Sequence, residues 1–257
     1  MPARPRCALR RSAGPLDGSS GTRALAARIA WAVLDFAFPD ACIACGRPIA
    51  RGRRHLCAAC TERLRAAPGT IDLPIVRGRA RPTRALYAAP FESPLAELVR
   101  GLKYGGRVSA AAVLGGLLAS LLPAATGSAW LVAPVPLHRT RRRERGFNQA
   151  ELIAGSLAGG LGLPLRADAL SRRRATPSQT ALPRHERIEN VRGAFASTGR
   201  LPANARVILV DDVVTTGATL AEAAAALLVG GAETILPVAA AGNVEGSGAA
   251  GRGPETG

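Results

Sequence analysis

One stretch, Arg206–Leu220, limits what this chain can fold into more than any other. It opens with four consecutive apolar residues, V-I-L-V, a pattern typical of a strand buried on both faces of a parallel sheet. Asp211 and Asp212 follow directly, then a hydroxyl-rich turn, then an Ala/Leu-rich helix predicted over Ala218–Val229. This order predicts an α/β fold with a ligand site at the carboxyl end of the strand.

The T-T-G-A-T turn after the acidic pair has the properties of a phosphate-binding site. Amide N–H groups at a helix N-terminus have no helical partners, and the helix dipole favours an anion beside them. A glycine in the turn lets the backbone approach that anion because it carries no Cβ. The alternative is an acidic pair that only caps the helix. The candidate phosphate-binding residues are Thr215, Thr216, Gly217, Ala218 and Thr219.

The sequence V-I-L-V-D-D-V-V-T-T-G-A-T-L resembles the phosphoribosyl-pyrophosphate (PRPP) motif of type I phosphoribosyltransferases. In that family the acidic pair binds the ribose 2′- and 3′-hydroxyls and the loop binds the 5′-phosphate. The resemblance implies the first role, and catalysis, for Asp211 and Asp212, and the second for the T-T-G-A-T turn. It also implies Mg²⁺ as the cofactor bound with PRPP, since this ion bridges diphosphate oxygens and carboxylates.

Four cysteines near the N-terminus are spaced as metal ligands. Two C-x-x-C pairs, eleven residues apart, place four thiolates around one tetrahedral ion, usually a structural Zn²⁺. Two disulfides or a redox pair are the alternatives. The basic ribbon around these cysteines either contacts nucleic acid or serves only as a metal-stapled unit. The predicted zinc ligands are Cys42, Cys45, Cys57 and Cys60.

Two arginine-rich segments are candidates for binding the diphosphate. The first follows the predicted strand Leu131–Leu137 and reads H-R-T-R-R-R-E-R-G-F-N-Q, a basic loop at the edge where the acidic pair is expected. The second, residues 171–191, predicts a mobile flap at the mouth of the site. For both, a solvated loop is the alternative. The candidate residues are Arg139, Arg143, Arg145, Arg174, Gln179 and Arg187.

Several motifs together resemble the ComF family. They are the cysteine pairs, L-K-Y-G-G, P-V-P-L-H-x-x-R-x-x-x-R-G-F-N-Q and the R-x5-Q-x2-L-x4-R-x2-N-V pattern of the second segment. The resemblance implies an α/β fold, a type I phosphoribosyltransferase-like open, mostly parallel sheet with flanking helices, plus a small N-terminal zinc ribbon. It also implies a role in natural competence, with single-stranded DNA and a helicase-like protein as partners.

The rest of the chain is less informative. Residues 1–22 and 241–257 are predicted to be disordered, 23–65 to hold an amphipathic helix and the zinc ribbon, and 81–240 to form the phosphoribosyltransferase-like domain. A polar linker is predicted over 66–84. The net charge of +16 suits phosphate-bearing partners. No apolar stretch has the length of a membrane span, and a cytoplasmic location is expected.

Besides a purely structural scaffold with a vestigial site, two functions remain open at this point. The first is a Mg²⁺-dependent phosphoribosyltransferase with an unknown acceptor. The second is a non-enzymatic competence factor that uses the fold to bind a nucleotide-like ligand, single-stranded DNA or a helicase-like partner.

Overall fold

Five strands form the central sheet of the protein. The computed structural model describes residues 41–49, 55–64, 67–74, 84–122, 130–175 and 184–242. Its sheet strands are β1 (Gly69–Asp72), β2 (Arg84–Pro90), β3 (Trp130–Pro134), β6 (Ala205–Val214) and β7 (Ala232–Gly242), and they lie in the order β1-β2-β7-β6-β3. Only β1 is antiparallel to its neighbour. The predicted open, mostly parallel sheet is therefore confirmed.

Helices cover both faces of this sheet. They are α1 (Ala58–Arg63), α2 (Leu95–Tyr104), α3 (Ala110–Leu121), α4 (Arg139–Arg145), α5 (Gln149–Leu161), α6 (Arg184–Val191) and α7 (Ala218–Val229). Helices α2, α3 and α5 pack into the apolar cluster on one face. Helix α7 packs on the other with a short antiparallel hairpin, β4 (Leu170–Arg172) and β5 (Phe195–Ser197). No helix in the described part of the chain is both long and apolar enough to cross a membrane.

Strand β6 is buried on both faces, as its apolar run predicts. Ile208 and Val210 contribute to the cluster on the α5 side, while Val207 and Leu209 contribute to the cluster on the α7 side. All four side chains are fully buried. The strand continues past the apolar run to Val214. The acidic pair therefore lies within the last residues of β6 rather than after the strand.

The sheet opens beside the acidic pair because β3 ends early. Pairing between β3 and β6 stops at Pro134 and Val210, whereas β6 remains paired with β7 as far as Val214. Pro136 follows closely and cannot donate a ladder hydrogen bond. The chain leaves β3 towards α5 on one face and leaves β6 towards α7 on the other. Such a reversal between neighbouring parallel strands creates a crevice at their carboxyl ends.

Several predicted boundaries differ from the structure. The predicted strand Leu131–Leu137 ends at Pro134, and the second arginine-rich segment, predicted as a flap, ends in helix α6. Part of the predicted polar linker forms β1, in which Gly69 pairs with Tyr87 of β2. Because Gly69 has no Cβ, its backbone can lie directly against the Tyr87 ring. The first arginine-rich loop forms helix α4, closed by Gly146 in the left-handed conformation. Strand β7 extends through Gly242 into the predicted tail, because its end pairs with both β2 and β6. The predicted N-terminal extension and amphipathic helix lie outside the described residues.

Helices α3 and α5 pack closely at Gly115, which gives a test of this packing. A Cβ at Gly115 would lie 2.5 Å from Ser156 Cβ and 2.9 Å from the Ile153 carbonyl oxygen. Gly115→Ala should therefore lower the free energy of unfolding by about 1–3 kcal/mol, the usual effect of overpacking. Gly116→Ala, in the same helix with nothing within 4 Å of its Cβ, should raise it by about 0.5–1 kcal/mol. Urea unfolding of both variants measures the difference, and equal effects would contradict the packing.

Candidate functional site

The acidic pair contains a buried carboxylate held by a lysine. Asp212 is 4% exposed, and its Oδ1 lies 2.9 Å from Nζ of Lys103 at the end of α2. Its Oδ2 is buried and has no hydrogen-bond partner among the described residues. A buried oxygen without a partner is energetically unfavourable, so this atom is available to a ligand in the crevice.

Asp211 is unusual in its protonation. Desolvation by burial, followed by the charge of Asp212, raises the pKa of Asp211 to about 7. The Asp212 N–H, which donates to Asp211 Oδ1 at 2.8 Å, and the charges of Lys103 and Arg172 oppose this rise. Such strongly shifted carboxyl groups are concentrated at binding and catalytic sites.

The T-T-G-A-T turn connects the acidic pair to α7. Gly217 caps the helix in the left-handed conformation, with a φ of 73°. A Cβ at this position would lie 2.6 Å from Leu73 Cδ2, so both the backbone conformation and the space require glycine. The Thr216 Oγ1 accepts a bond of 3.4 Å from the Ala218 N–H. Backbone N–H groups in the first turn of a helix are the donors expected at an anion site.

A cleft of about 520 Å³ lies beside Lys103 and helix α4. Asn148 fixes the start of α5 below it, with its Nδ2 donating to the Val135 carbonyl at 3.0 Å and its Oδ1 accepting from the Ala150 N–H. Arg145 donates to Gln149 Oε1 at 2.6 Å and lies over the Tyr104 ring. The lining side chains are Lys103, Tyr104, Arg141, Glu144, Arg145 and Phe147.

The predicted diphosphate-binding residues do not all lie together. Arg145 lines the cleft, whereas Arg139 and Arg143 are exposed on α4. Arg174 donates to the carbonyl oxygens of Asn190, at 3.0 Å, and Arg192, at 2.7 Å, and so ties the hairpin to the end of α6. Gln179 and the Arg187 side chain lie outside the described residues.

Sequence reasoning missed three cationic residues near the site. Lys103 pairs with Asp212, and Arg141 lies one helical turn before Arg145 in the cleft. Arg172, on β4, stacks over the Phe195 ring; burial, together with the charge of Arg141, lowers its pKa, while Asp211 opposes the shift. The signal for Lys103 was available, because it is the single lysine among 34 basic residues. The other two positions depend on tertiary contacts.

The four cysteines form one cluster. Their Sγ atoms all lie within 4.8 Å of one another, and those of Cys45 and Cys57 are 3.8 Å apart. Tetrahedral Zn²⁺ with bonds of about 2.3 Å separates its sulfur ligands by about 3.8 Å, so the cluster fits this ion. Burial raises the pKa of the Cys42 thiol, but backbone N–H donors lower it to about 6, whereas burial and hydrogen bonds to the other cysteines raise the pKa of Cys60. With four protein ligands, the zinc is structural.

The zinc ribbon is joined to the helix that carries Lys103. Buried Cys42, Leu56 and Cys60 belong to the same apolar cluster as Leu98 and Leu102 of α2. The Arg107 guanidinium, just after α2, donates to the carbonyl of Ile43 at 2.6 Å. The ribbon therefore supports the end of α2 that faces the crevice.

Two family models match the chain. A phosphoribosyl transferase domain matches residues 148–246, and a double zinc ribbon domain matches residues 33–71. The first match includes the acidic pair and the T-T-G-A-T turn. The second includes all four clustered cysteines.

Curated relatives agree with these domains. The chain is 34% identical to DNA utilization protein YhgH of Shigella flexneri, over 77% of this chain and 94% of the relative. It is 39% identical to Competence protein F of Haemophilus influenzae over 35% of this chain and 41% of the relative. Competence protein ComFC of Bacillus subtilis is 26% identical over 78% of this chain and 83% of the relative. The chain therefore belongs to the ComF family, together with the YhgH proteins.

Proposed function

We propose that this protein binds PRPP with Mg²⁺ at the crevice between β3 and β6 and transfers its phosphoribosyl group to an acceptor. The observation that carries the proposal is the acidic pair, with Asp212 buried and Asp211 partly buried, shortly before a glycine-capped helix and at the point where the sheet opens. The matching phosphoribosyl transferase domain supports the same conclusion.

Each part of the ligand has a matching part of the site. The first-turn N–H groups of α7 and the hydroxyls of Thr215, Thr216 and Thr219 would bind the 5′-phosphate. Asp211 and Asp212 would accept hydrogen bonds from the two ribose hydroxyls. Arg141 and Arg145 carry the charge that neutralises a diphosphate. Holding both ends of the ligand fixes the ribose for attack at C1.

The donor set of the acidic pair fits Mg²⁺. This ion prefers oxygen ligands and binds through one or two carboxylates together with substrate phosphates. The unpartnered buried Oδ2 of Asp212 is such an oxygen. When bound, the ion would neutralise negative charge on the diphosphate.

The proposed reaction breaks the bond between ribose C1 and a diphosphate oxygen and forms a bond from C1 to the acceptor. Positive charge develops on the sugar as the diphosphate leaves with the bonding electrons. The Asp211 and Asp212 carboxylates would stabilise this charge, and the cleft arginines would stabilise the leaving group.

A reducing cytoplasm, the location we propose, keeps the zinc-binding thiols from forming disulfides.

Replacing both carboxylates tests the ligand assignment. Calorimetric titration of PRPP with Mg²⁺ should give saturable binding to the zinc-loaded protein. Asp211→Asn combined with Asp212→Asn should weaken binding by at least about 100-fold, because two charge-assisted contacts are lost. The matched control is Asp168→Asn, whose carboxylate pairs with Arg200 and lies outside the crevice. Equal PRPP affinity in the double variant and the wild type would exclude this site.

The raised pKa of Asp211 predicts how stability changes with pH. Its folded-state pKa of about 7 exceeds the ordinary value of 3.8, so between these values the folded state binds a proton that the unfolded state lacks. Stability therefore falls as pH rises from about 4 to 7 and stays lowered above 7. Asp211→Asn should raise the urea midpoint at pH 8, with little difference at pH 4. A variant less stable than the wild type at pH 8 would show that the carboxylate stabilises the fold instead.

A second candidate function is binding of single-stranded DNA without catalysis. The names of the relatives refer to DNA utilization and competence. Helix α4 supports this function because it exposes Arg139 and Arg143 one turn apart, away from the cleft, in a chain of net charge +16. Arginines on an exposed face suit a phosphate backbone. A helicase-like protein is the proposed partner of such a complex.

Salt dependence separates the two functions. Binding of labelled oligothymidylate should weaken steeply with salt. A plot of the logarithm of the binding constant against the logarithm of the salt concentration should have a slope of about −0.7 for each phosphate contact. Arg139→Ala with Arg143→Ala should lower both the affinity and this slope while leaving PRPP binding unchanged. The double Asp variant should lose PRPP binding and keep the wild-type affinity for oligothymidylate. Loss of both ligands in either variant would mean that the two surfaces are one site.

A further inference from the structure

We propose that Lys103 is a diphosphate-binding residue that exchanges partners, leaving Asp212 for the diphosphate when the ligand enters. The inference rests on the proposed function and gives a role to Lys103, a residue of the L-K-Y-G-G motif to which neither the sequence analysis nor the family matches assign a part of the ligand. It also names the part of the ligand that this residue recognises. Lys103 lies at the boundary between the acidic pair and the cleft.

The first argument is the position of the ammonium group. Its Nζ contacts Asp212 Oδ1 at 2.9 Å, and the same side chain lines the cleft with Arg141 and Arg145. The Lys103 side chain is 22% exposed and that of Asp212 is 6% exposed. The pair is therefore largely removed from water but open on the cleft side.

The second argument is the charge that ligand binding brings to Asp212. In the free protein the lysine neutralises a buried carboxylate, which would otherwise be strongly destabilising. Ribose hydroxyls and Mg²⁺ would satisfy that carboxylate in the complex. The ammonium would then face a cleft with two arginines and one acidic side chain, Glu144. A diphosphate is the part of the ligand that needs this positive charge.

The third argument is the choice of residue. The chain contains 34 basic residues and this is the only lysine. Lysine presents a compact charge on a flexible stem, whereas the arginine fork holds two oxygens in one fixed plane. A flexible point charge suits a group that moves between two anions. Lys103 also follows helix residues that pack in the same apolar cluster as the zinc ribbon, which fixes its backbone.

Removing the ammonium should weaken diphosphate ligands selectively. Lys103→Met should raise the dissociation constant of PRPP with Mg²⁺ by about tenfold or more, the effect of one hydrogen bond to a charged group. In the same variant, the dissociation constant of ribose 5-phosphate, which lacks the diphosphate, should change less than about twofold. Equal weakening of both ligands would overturn the inference, because it would mean that Lys103 only supports Asp212.

Arg100→Met is the matched control. It removes one positive charge from the same helix, where Arg100 is exposed and lies over Phe91 rather than in the cleft. The affinity of the Arg100→Met variant for PRPP should equal that of the wild type. A tenfold loss in this control would attribute the Lys103 effect to overall charge and so overturn the inference.

The single lysine permits a direct observation in the wild-type chain. Reductive methylation with carbon-13 formaldehyde gives one side-chain signal in the whole protein, identified by its absence from Lys103→Arg. Inorganic diphosphate with Mg²⁺ should shift this signal, while ribose 5-phosphate should shift it less. A signal unmoved by diphosphate would overturn the inference even if Lys103→Met failed to fold.

The two proposals fail in different ways. Lack of PRPP binding by the wild type, with the Lys103 signal still shifted by diphosphate, would reject the proposed function and keep Lys103 as an anion-binding residue. PRPP binding that is lost in the double Asp variant but retained at full affinity in Lys103→Met would support the proposed function and reject the role of Lys103.

Discussion

The burial of β6 on both faces is the constraint on which the rest of the structure depends. Its alternate side chains fill two separate apolar clusters, so helices must cover both sides of the sheet. The connections that follow β3 and β6 therefore leave towards opposite faces. Because β3 ends at Pro134, four further residues of β6 border the opening on one side. The crevice is thus a consequence of how the core is covered.

This opening explains how the buried Asp212 and the partly buried Asp211 are tolerated beside each other. Desolvation and the charge of Asp212 raise the pKa of Asp211 to about 7. Lys103 offsets part of this by pairing with Asp212. A pair that lowers the stability of the free protein is retained most readily where a ligand uses it. The zinc ribbon contributes by supporting α2, which carries the lysine.

Much of the fold and part of the site could be predicted from local patterns. The helix after the acidic pair matches its predicted bounds, and the apolar run located the buried part of β6 but not its continuation to Val214, because burial and helix formation depend on neighbouring residues. The cysteine spacing gave the cluster, since two C-x-x-C pairs bring their own ligands together. The arginine-rich segments were less informative. Periodicity did not show that α4 would turn Arg141 and Arg145 into the cleft and expose Arg139 and Arg143.

The sequence alone determined the chemistry of this protein: an acidic pair before a glycine-containing turn, four thiols at metal spacing and a strongly basic chain. Tertiary structure decided which charges meet. Lys103 precedes Asp212 by more than a hundred residues, and their contact exists because α2 and β6 pack against one apolar cluster. Partners so distant in sequence leave no local pattern. Their meeting is fixed by the packing of the core, which spacing along the chain does not reveal.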